Sequence, residues 1–260
     1  MAHVVVTGAS GGLGQALARE LAAHGHRVTL VARRRRVLEE LARELGSSAH
    51  VVAADVRNVE EVVVKLRDAE ALLGPIDVLV NNAGTVVSHR FADVSDAEAR
   101  EVIEVDLLAP LLLARAVLPA MLERRSGTIV NITSTGALGP NPGMVHYCAA
   151  KAGLAAASES LRGELRGTGV HVITVYPGPM LTPMLERANA GYPRQRRVTA
   201  IPTASPAEVA RRVRRGIERG SARVVHPRVY GAFRYLPWLV RWLLDRFTPR
   251  PLPRAERSAP

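Results

Sequence analysis

His3-Val4-Val5-Val6-Thr7-Gly8-Ala9-Ser10-Gly11-Gly12-Leu13-Gly14 decides how the rest of the chain is read. The apolar run up to Thr7 has the length and composition of a buried strand. Gln15–Ala23 follows with no proline and reads as a helix. Strand, glycine-rich turn and helix are the context that a dinucleotide-binding loop requires. Gly8 permits the tight turn, while Gly12 and Gly14 permit close approach of a pyrophosphate and close packing of the helix. The helix N-terminus then faces the phosphates. The spacing is Gly-x-x-x-Gly-x-Gly, and on its own it describes an ordinary loop as well as a binding site.

Outward from this loop, strands and helices alternate. Strands are expected at Arg27–Ala32, His50–Ala54, Ile76–Val80, Gly127–Ile132 and His171–Val175, with a last one at Arg223–His226. Helices are expected between them, the longest from a Ser95 cap to about Glu123 and from about Val145 to Arg166. This alternation predicts an α/β fold, a doubly wound parallel sheet of about seven strands with helices on both faces. The 260 residues, 47% of them hydrophobic, suffice for one large domain, expected over residues 1–228. The single cysteine, Cys148, excludes an intrachain disulfide and fits a reducing compartment, here read as the cytoplasm. No uncharged apolar run reaches the length of a membrane-spanning helix. The histidines form no ligand-like cluster, so no metal is expected.

At the end of the second strand stand Ala32, Arg33 and Arg34, where NAD-specific sites carry an acidic residue for the ribose 2′-hydroxyl. Arginine matches a 2′-phosphate in charge and donor geometry, so the reading is NADP(H). Four cations, Arg33 to Arg36, at a helix N-terminus oppose the helix dipole and suggest an anionic partner. Asn82-Ala83-Gly84 closes the fourth strand, small enough to let backbone sit near a ligand.

Tyr147 and Lys151 are four apart in an alanine-rich helical run and share a face. An ammonium near a phenol favours phenolate and lowers its pKa, suiting it to move a proton. The chain has two lysines against 33 arginines, so a lysine at this position is not generic surface charge.

The net charge of +11 is concentrated at one end. Residues 186–260 hold 17 arginines against 5 acidic residues, whereas residues 1–185 are close to neutral. Residues 179–204, rich in proline and arginine, read as a mobile lid. Six of the ten aromatics, both tryptophans included, lie in residues 229–247 of a basic tail spanning 229–260. After Pro237 this tail reads as a short amphipathic helix, suited either to a membrane interface or to packing on the body or a second subunit over the substrate pocket. The tryptophans fall on an apolar helical face, which argues against nucleic-acid binding.

Taken together, Thr7-Gly8-x-x-x-Gly12-x-Gly14, Asn81-Asn82-Ala83-Gly84, Ser134, Tyr147-x-x-x-Lys151 and Pro177-Gly178 resemble, in order and spacing, the motifs of the short-chain dehydrogenase/reductase family over about residues 1–228. The resemblance implies an NADP(H)-dependent oxidoreductase interconverting a carbonyl and an alcohol. It makes Tyr147 the acid or base, Lys151 its partner and a ligand of the nicotinamide ribose, and Ser134 the group that polarises the carbonyl. It assigns Gly8, Ala9, Ser10, Gly11, Gly12, Leu13 and Gly14 to the pyrophosphate, and Arg33, helped by Arg34, to the 2′-phosphate. Asp55 and Val56 would meet adenine, Asn82 to Gly84 the adjoining ribose, and Pro177, Gly178, Met180 and Thr182 the nicotinamide. It also implies a homodimer or homotetramer through the helices of residues 95–123 and 145–166. One departure stands out: Asp106 replaces the asparagine that the family uses in its proton relay. The apolar tail and lid favour a hydrophobic substrate. The competing reading is a cofactor-bound scaffold or redox sensor of low turnover, docking through its tail.

Overall fold

The computed structural model describes residues 1–193 and 202–253. Strands β1 (His3–Thr7), β2 (Arg27–Ala32), β3 (Ala49–Ala53), β4 (Ile76–Asn81), β5 (Gly127–Ile132), β6 (Val170–Pro177) and β7 (Arg223–His226) form one sheet in the order β3-β2-β1-β4-β5-β6-β7. Every neighbouring pair is parallel. Both faces are covered, which is why the strands read as valine-rich runs without polar alternation.

Successive side chains of β1 go to opposite faces. Val4 and Val6 pack with Leu17 and Leu21 of α1 (Gly12–Ala23), Leu38 and Leu41 of α2 (Arg35–Leu45) and Val209 and Val213 of α8 (Pro206–Glu218). Val5 packs into the other core with Val62 and Leu66 of α3 (Val59–Leu73) and Leu113 and Met121 of α5 (Ala109–Glu123). The long helix α6 (Val145–Glu164) lies on this second face. A leucine as buried as Leu17 contributes about 1.5–3 kcal/mol.

The chain runs outward from β1 through β2 to β3, then crosses back to place β4 on the other side of β1. That reversal opens a crevice between the carboxyl ends of β1 and β4, where ligands of such sheets bind. The glycine-rich loop and Asn82-Ala83-Gly84 both emerge there.

The run expected as one helix from Ser95 is interrupted. Ser95 caps α4 (Asp96–Ile103) with a reciprocal box, its Oγ accepting from the Glu98 N–H while its own N–H donates to the Glu98 carboxylate at 2.9 Å. A wider, π-type turn follows at Glu104–Leu108 before α5 begins. Pro110 has no N–H to return to the carbonyl of Asp106 four residues back, which favours widening at this point. By length and composition the Asp96–Glu123 run is able to cross a membrane. Here Val102, Val105, Leu113 and Met121 pack it into the core.

Beyond β6, α7 (Pro183–Asn189) and a single bridge between Met180 and Ala204 occupy part of the stretch expected as a lid. The rest of that expectation, residues 194–201, lies outside the described residues. After β7 the chain folds back, and α9 (Pro237–Phe247) lays Val240 and Leu244 against Gly139, in the loop between β5 and α6.

Candidate active site

Thr7 organises the crevice. Its hydroxyl donates to the Val80 carbonyl at 3.3 Å and accepts from the Asn82 and Ala83 N–H groups, each at 3.0 Å. Asn82 in turn donates through Nδ2 to the Thr7 carbonyl at 2.8 Å. The glycine loop and the β4 loop are thereby tied edge to edge. Gly8 has φ +66°, and a Cβ there would stand 2.7 Å from Ala83 Cα. A Cβ at Gly14 would strike the Gly8 carbonyl, and one at Gly12 would come within 3.0 Å of Thr182 Cγ2. The three glycines thus have distinct steric reasons. No side chain caps α1, leaving its first-turn N–H groups turned to the crevice. Ala9, Leu13 and Val56 bury their side chains, so only their backbone is available to a ligand.

The two arginines of the β2 end divide in the fold. Arg34 donates to the Ser10 carbonyl at 2.5 Å and to Ser10 Oγ at 3.2 Å, bracing the glycine loop. Arg33 projects into solvent, with Asp55 at 3.9 Å and Glu101 at 3.8 Å. Asp55 is held more closely by Arg57, at 2.7 Å, and the Arg57 guanidinium pulls its carboxyl below the usual range. Arg33 is therefore the less committed of the two cations.

Across β4 lies a buried polar chain of which the sequence motifs include only Asn81. Asn81 donates to Asn131 Oδ1 at 2.9 Å, Asn131 to Ser158 Oγ at 2.9 Å, and Ser158 to the Leu154 carbonyl at 2.6 Å. It locks β4, β5 and α6 together. The only available signal was asparagine within otherwise apolar strands.

Ser134 follows β5 and Tyr147 lies in the first turn of α6, each partly exposed. Both flank Gly136: a Cβ there would lie 3.4 Å from Ser134 Oγ and 3.6 Å from Tyr147 Cε1. Lys151, one turn after Tyr147, is buried. It donates to the Ile132 carbonyl at 3.1 Å and faces Asp106 Oδ2 at 3.3 Å. Asp106 Oδ1 accepts from the Thr85 N–H at 2.7 Å. A Cβ on Gly84 would touch both Asp106 oxygens and Lys151 Nζ at 3.5 Å, so a side chain at this position would press on the buried pair.

The expectation that Lys151 lowers the tyrosine pKa needs correction. Its ammonium is 6.0 Å from the Tyr147 ring centroid, drawn toward Asp106 and the Ile132 carbonyl. Burial pushes the phenol well above its ordinary value, and the Asp106 charge pushes it further, against a hydrogen bond with Ser134 that lowers it. Burial likewise pushes the Asp106 carboxyl up, with Lys151 pulling it down.

Gly178 donates its N–H to the His226 carbonyl at 2.8 Å and lies under the Tyr230 ring, while Pro177 pairs with β7, so both serve the sheet edge. Thr182 Oγ1 bonds the Met180 carbonyl at 3.2 Å, beside the glycine loop. His146 stacks on Phe91 at 5.4 Å, and Cys148 is buried with its thiol pushed up by that burial.

A family model described as short chain dehydrogenase matches residues 2–193. Nodulation protein G of Rhizobium sp. is 40% identical over 209 residues, which cover 77% of this chain and 85% of that protein. The ketoacyl reductase HetN of Nostoc sp. is 41% identical over 179 residues, covering 67% of this chain and 62% of that protein. A short-chain dehydrogenase from Sphingobium yanoikuyae, solved with NADPH, is similar with a TM-score of 0.79 and 29% identity, over 92% of this chain and 95% of that one. The order of the strands, the tied loops at their carboxyl ends and the extent of these matches have one explanation: the chain is an oxidoreductase fold of the short-chain dehydrogenase family.

Proposed function

We propose that the chain is an NADP(H)-dependent oxidoreductase that interconverts a ketone or aldehyde and an alcohol on a hydrophobic small molecule. The observation that carries this reading is the convergence of Ser134 Oγ and the Tyr147 ring on Gly136, with Lys151 one helical turn further along. Gly8 to Gly14, Arg33, Asn82 to Gly84, Lys151 and Thr182 border one crevice and would hold the cofactor. The glycine cradle and the exposed, loosely paired Arg33 guanidinium fit a dinucleotide with a 2′-phosphate, in keeping with the NADPH found in the Sphingobium protein. When bound, that cofactor supplies or accepts a hydride.

In this reading Ser134 donates a hydrogen bond to the substrate oxygen and stabilises its developing charge. Tyr147 gives that oxygen its proton in reduction and removes it in oxidation. Lys151 and Asp106 form the inner end of a proton path, with Asp106 as an acceptor where the family has an amide. Among the described residues, 179–193 and 202–204 serve as the lid in this reading. Residues 229–253 wall the pocket, a role supported by the Leu252 N–H bond to the Gly191 carbonyl at 2.8 Å and by α9 on Gly139. A homodimer or homotetramer through α5 and α6 belongs to the same reading, supported by exposed Leu122 and Val145.

NADPH oxidation, with NADH in parallel, over a panel of hydrophobic ketones and aldehydes tests the proposal. Turnover that collapses in Tyr147→Phe supports it. Tight NADPH binding with no turnover in either direction overturns it in favour of the scaffold reading, for which the Asp106–Lys151 ion pair at 3.3 Å is the favouring observation.

A further inference from the structure

Helix α9 has an occupied side and a bare one. On the occupied side, a Cβ at Gly139 would lie 3.0 Å from Leu244 Cδ1, 3.1 Å from Val240 Cγ1 and 3.3 Å from Phe233 Cδ2. On the bare side Trp238 is 68% exposed and Trp242 58%, four residues apart and therefore on one face. Phe247, 68% exposed, meets Trp242 edge to face at 6.3 Å, and Tyr235 just before the helix is 82% exposed. Arg241 and Arg246 border this surface and Arg250 follows the helix; all three are exposed. Among the described residues none of the three pairs with a carboxylate, and Arg246 instead lies over the Phe247 ring at 5.8 Å. The acidic residue on the helix is Asp245.

We propose that this face docks the protein on the surface of an anionic phospholipid bilayer. Tryptophan rings settle at the level of the headgroups, and arginines beside them meet lipid phosphates. The charge pattern agrees: residues 1–185 are near neutral, and the excess of arginine begins after them. A second copy of the chain fits the face poorly. A two-fold interface sets a patch against itself, so Arg241, Arg246 and Arg250 would face their own copies with Asp245 alone to offset them. Because the inner side of α9 lies on the Gly139 loop, docking turns the Ser134–Tyr147 side of the molecule toward the lipid.

The protein carries its own probe: Trp238 and Trp242 are its only tryptophans. Their emission is measured on the full chain while vesicles are added, of phosphatidylcholine alone or mixed with phosphatidylglycerol, and pelleting with the vesicles is followed in parallel. A blue shift and pelleting with the mixed vesicles, lost at high salt and absent with phosphatidylcholine alone, is the expected result. Arg241→Ser with Arg246→Ser weakens partitioning roughly thirtyfold. Trp238→Ala with Trp242→Ala abolishes pelleting while the thermal melt stays where it was. Emission and sedimentation unchanged by mixed vesicles overturn the proposal. So does a blue shift that grows with protein concentration in the absence of lipid, which assigns the face to a second copy.

Discussion

Two aspartate–cation pairs sit at the carboxyl ends of the same sheet and behave differently. Asp106 and Lys151 are 0% and 5% exposed at the side chain and 3.3 Å apart. Asp55 and Arg33 are 26% and 65% exposed and 3.9 Å apart. Charge types and approximate distance are alike, and depth separates them. In the buried pair, desolvation is the largest influence on the aspartate and raises its pKa. In the exposed pair, Asp55 is governed by its hydrogen bonds to Arg57, which lower it. The buried pair is thus committed to one geometry, whereas Arg33 remains available to an incoming anion.

The largest expected effect lies beside the buried pair. Tyr147→Phe removes the proposed proton carrier and should lower kcat by roughly 10²–10⁴-fold, with NADPH affinity retained in a binding titration. Next, Lys151→Met leaves Asp106 without its cation and should destabilise the fold by about 3–5 kcal/mol in denaturant melts. The sign with pH follows from linkage. A carboxyl whose folded pKa is raised contributes fully below its unfolded pKa and loses that contribution as pH rises through the folded one. The Lys151→Met deficit should therefore be larger at alkaline than at mildly acidic pH, and a pH-independent deficit would break the comparison.

At the exposed pair, Arg33→Ala should weaken NADPH roughly tenfold to a hundredfold in titration, with NADH little changed. Its melting midpoint should shift little, because an exposed pair is worth about 0–1 kcal/mol. Equal loss of both cofactors would show that Arg33 does not meet the 2′-phosphate. The smallest effect is expected from Asp106→Asn. The Asp106 charge adds to the burial that raises the phenol pKa, so its removal should move the pH–rate profile to lower pH. An unmoved profile would mean that Asp106 does not act on Tyr147.

Much of this was legible along the chain. Gly8, Gly12 and Gly14 announced a loop too tight for side chains, and each meets backbone or Thr182 as that requires. Tyr147 and Lys151 announced a shared helical face because they are one turn apart. Less legible was the direction of the Lys151 ammonium, which depends on Asp106 reaching it from another helix through a widened turn. The division between Arg33 and Arg34 was equally hidden, since adjacent residues of one type differ only in what lies beside them.

Local pattern therefore specified a parallel sheet with alternating strands and helices and the loop after β1, and it pointed to residues whose side chains can carry a proton. These rest on periodicity and on backbone sterics, which act between near neighbours. The fold alone decided that Asp106 meets Lys151, that Thr7 ties two loops, and that α9 covers Gly139 while baring its tryptophans. Those outcomes join residues far apart in the chain, and burial there changes the energy of a charge more than its neighbours in sequence do.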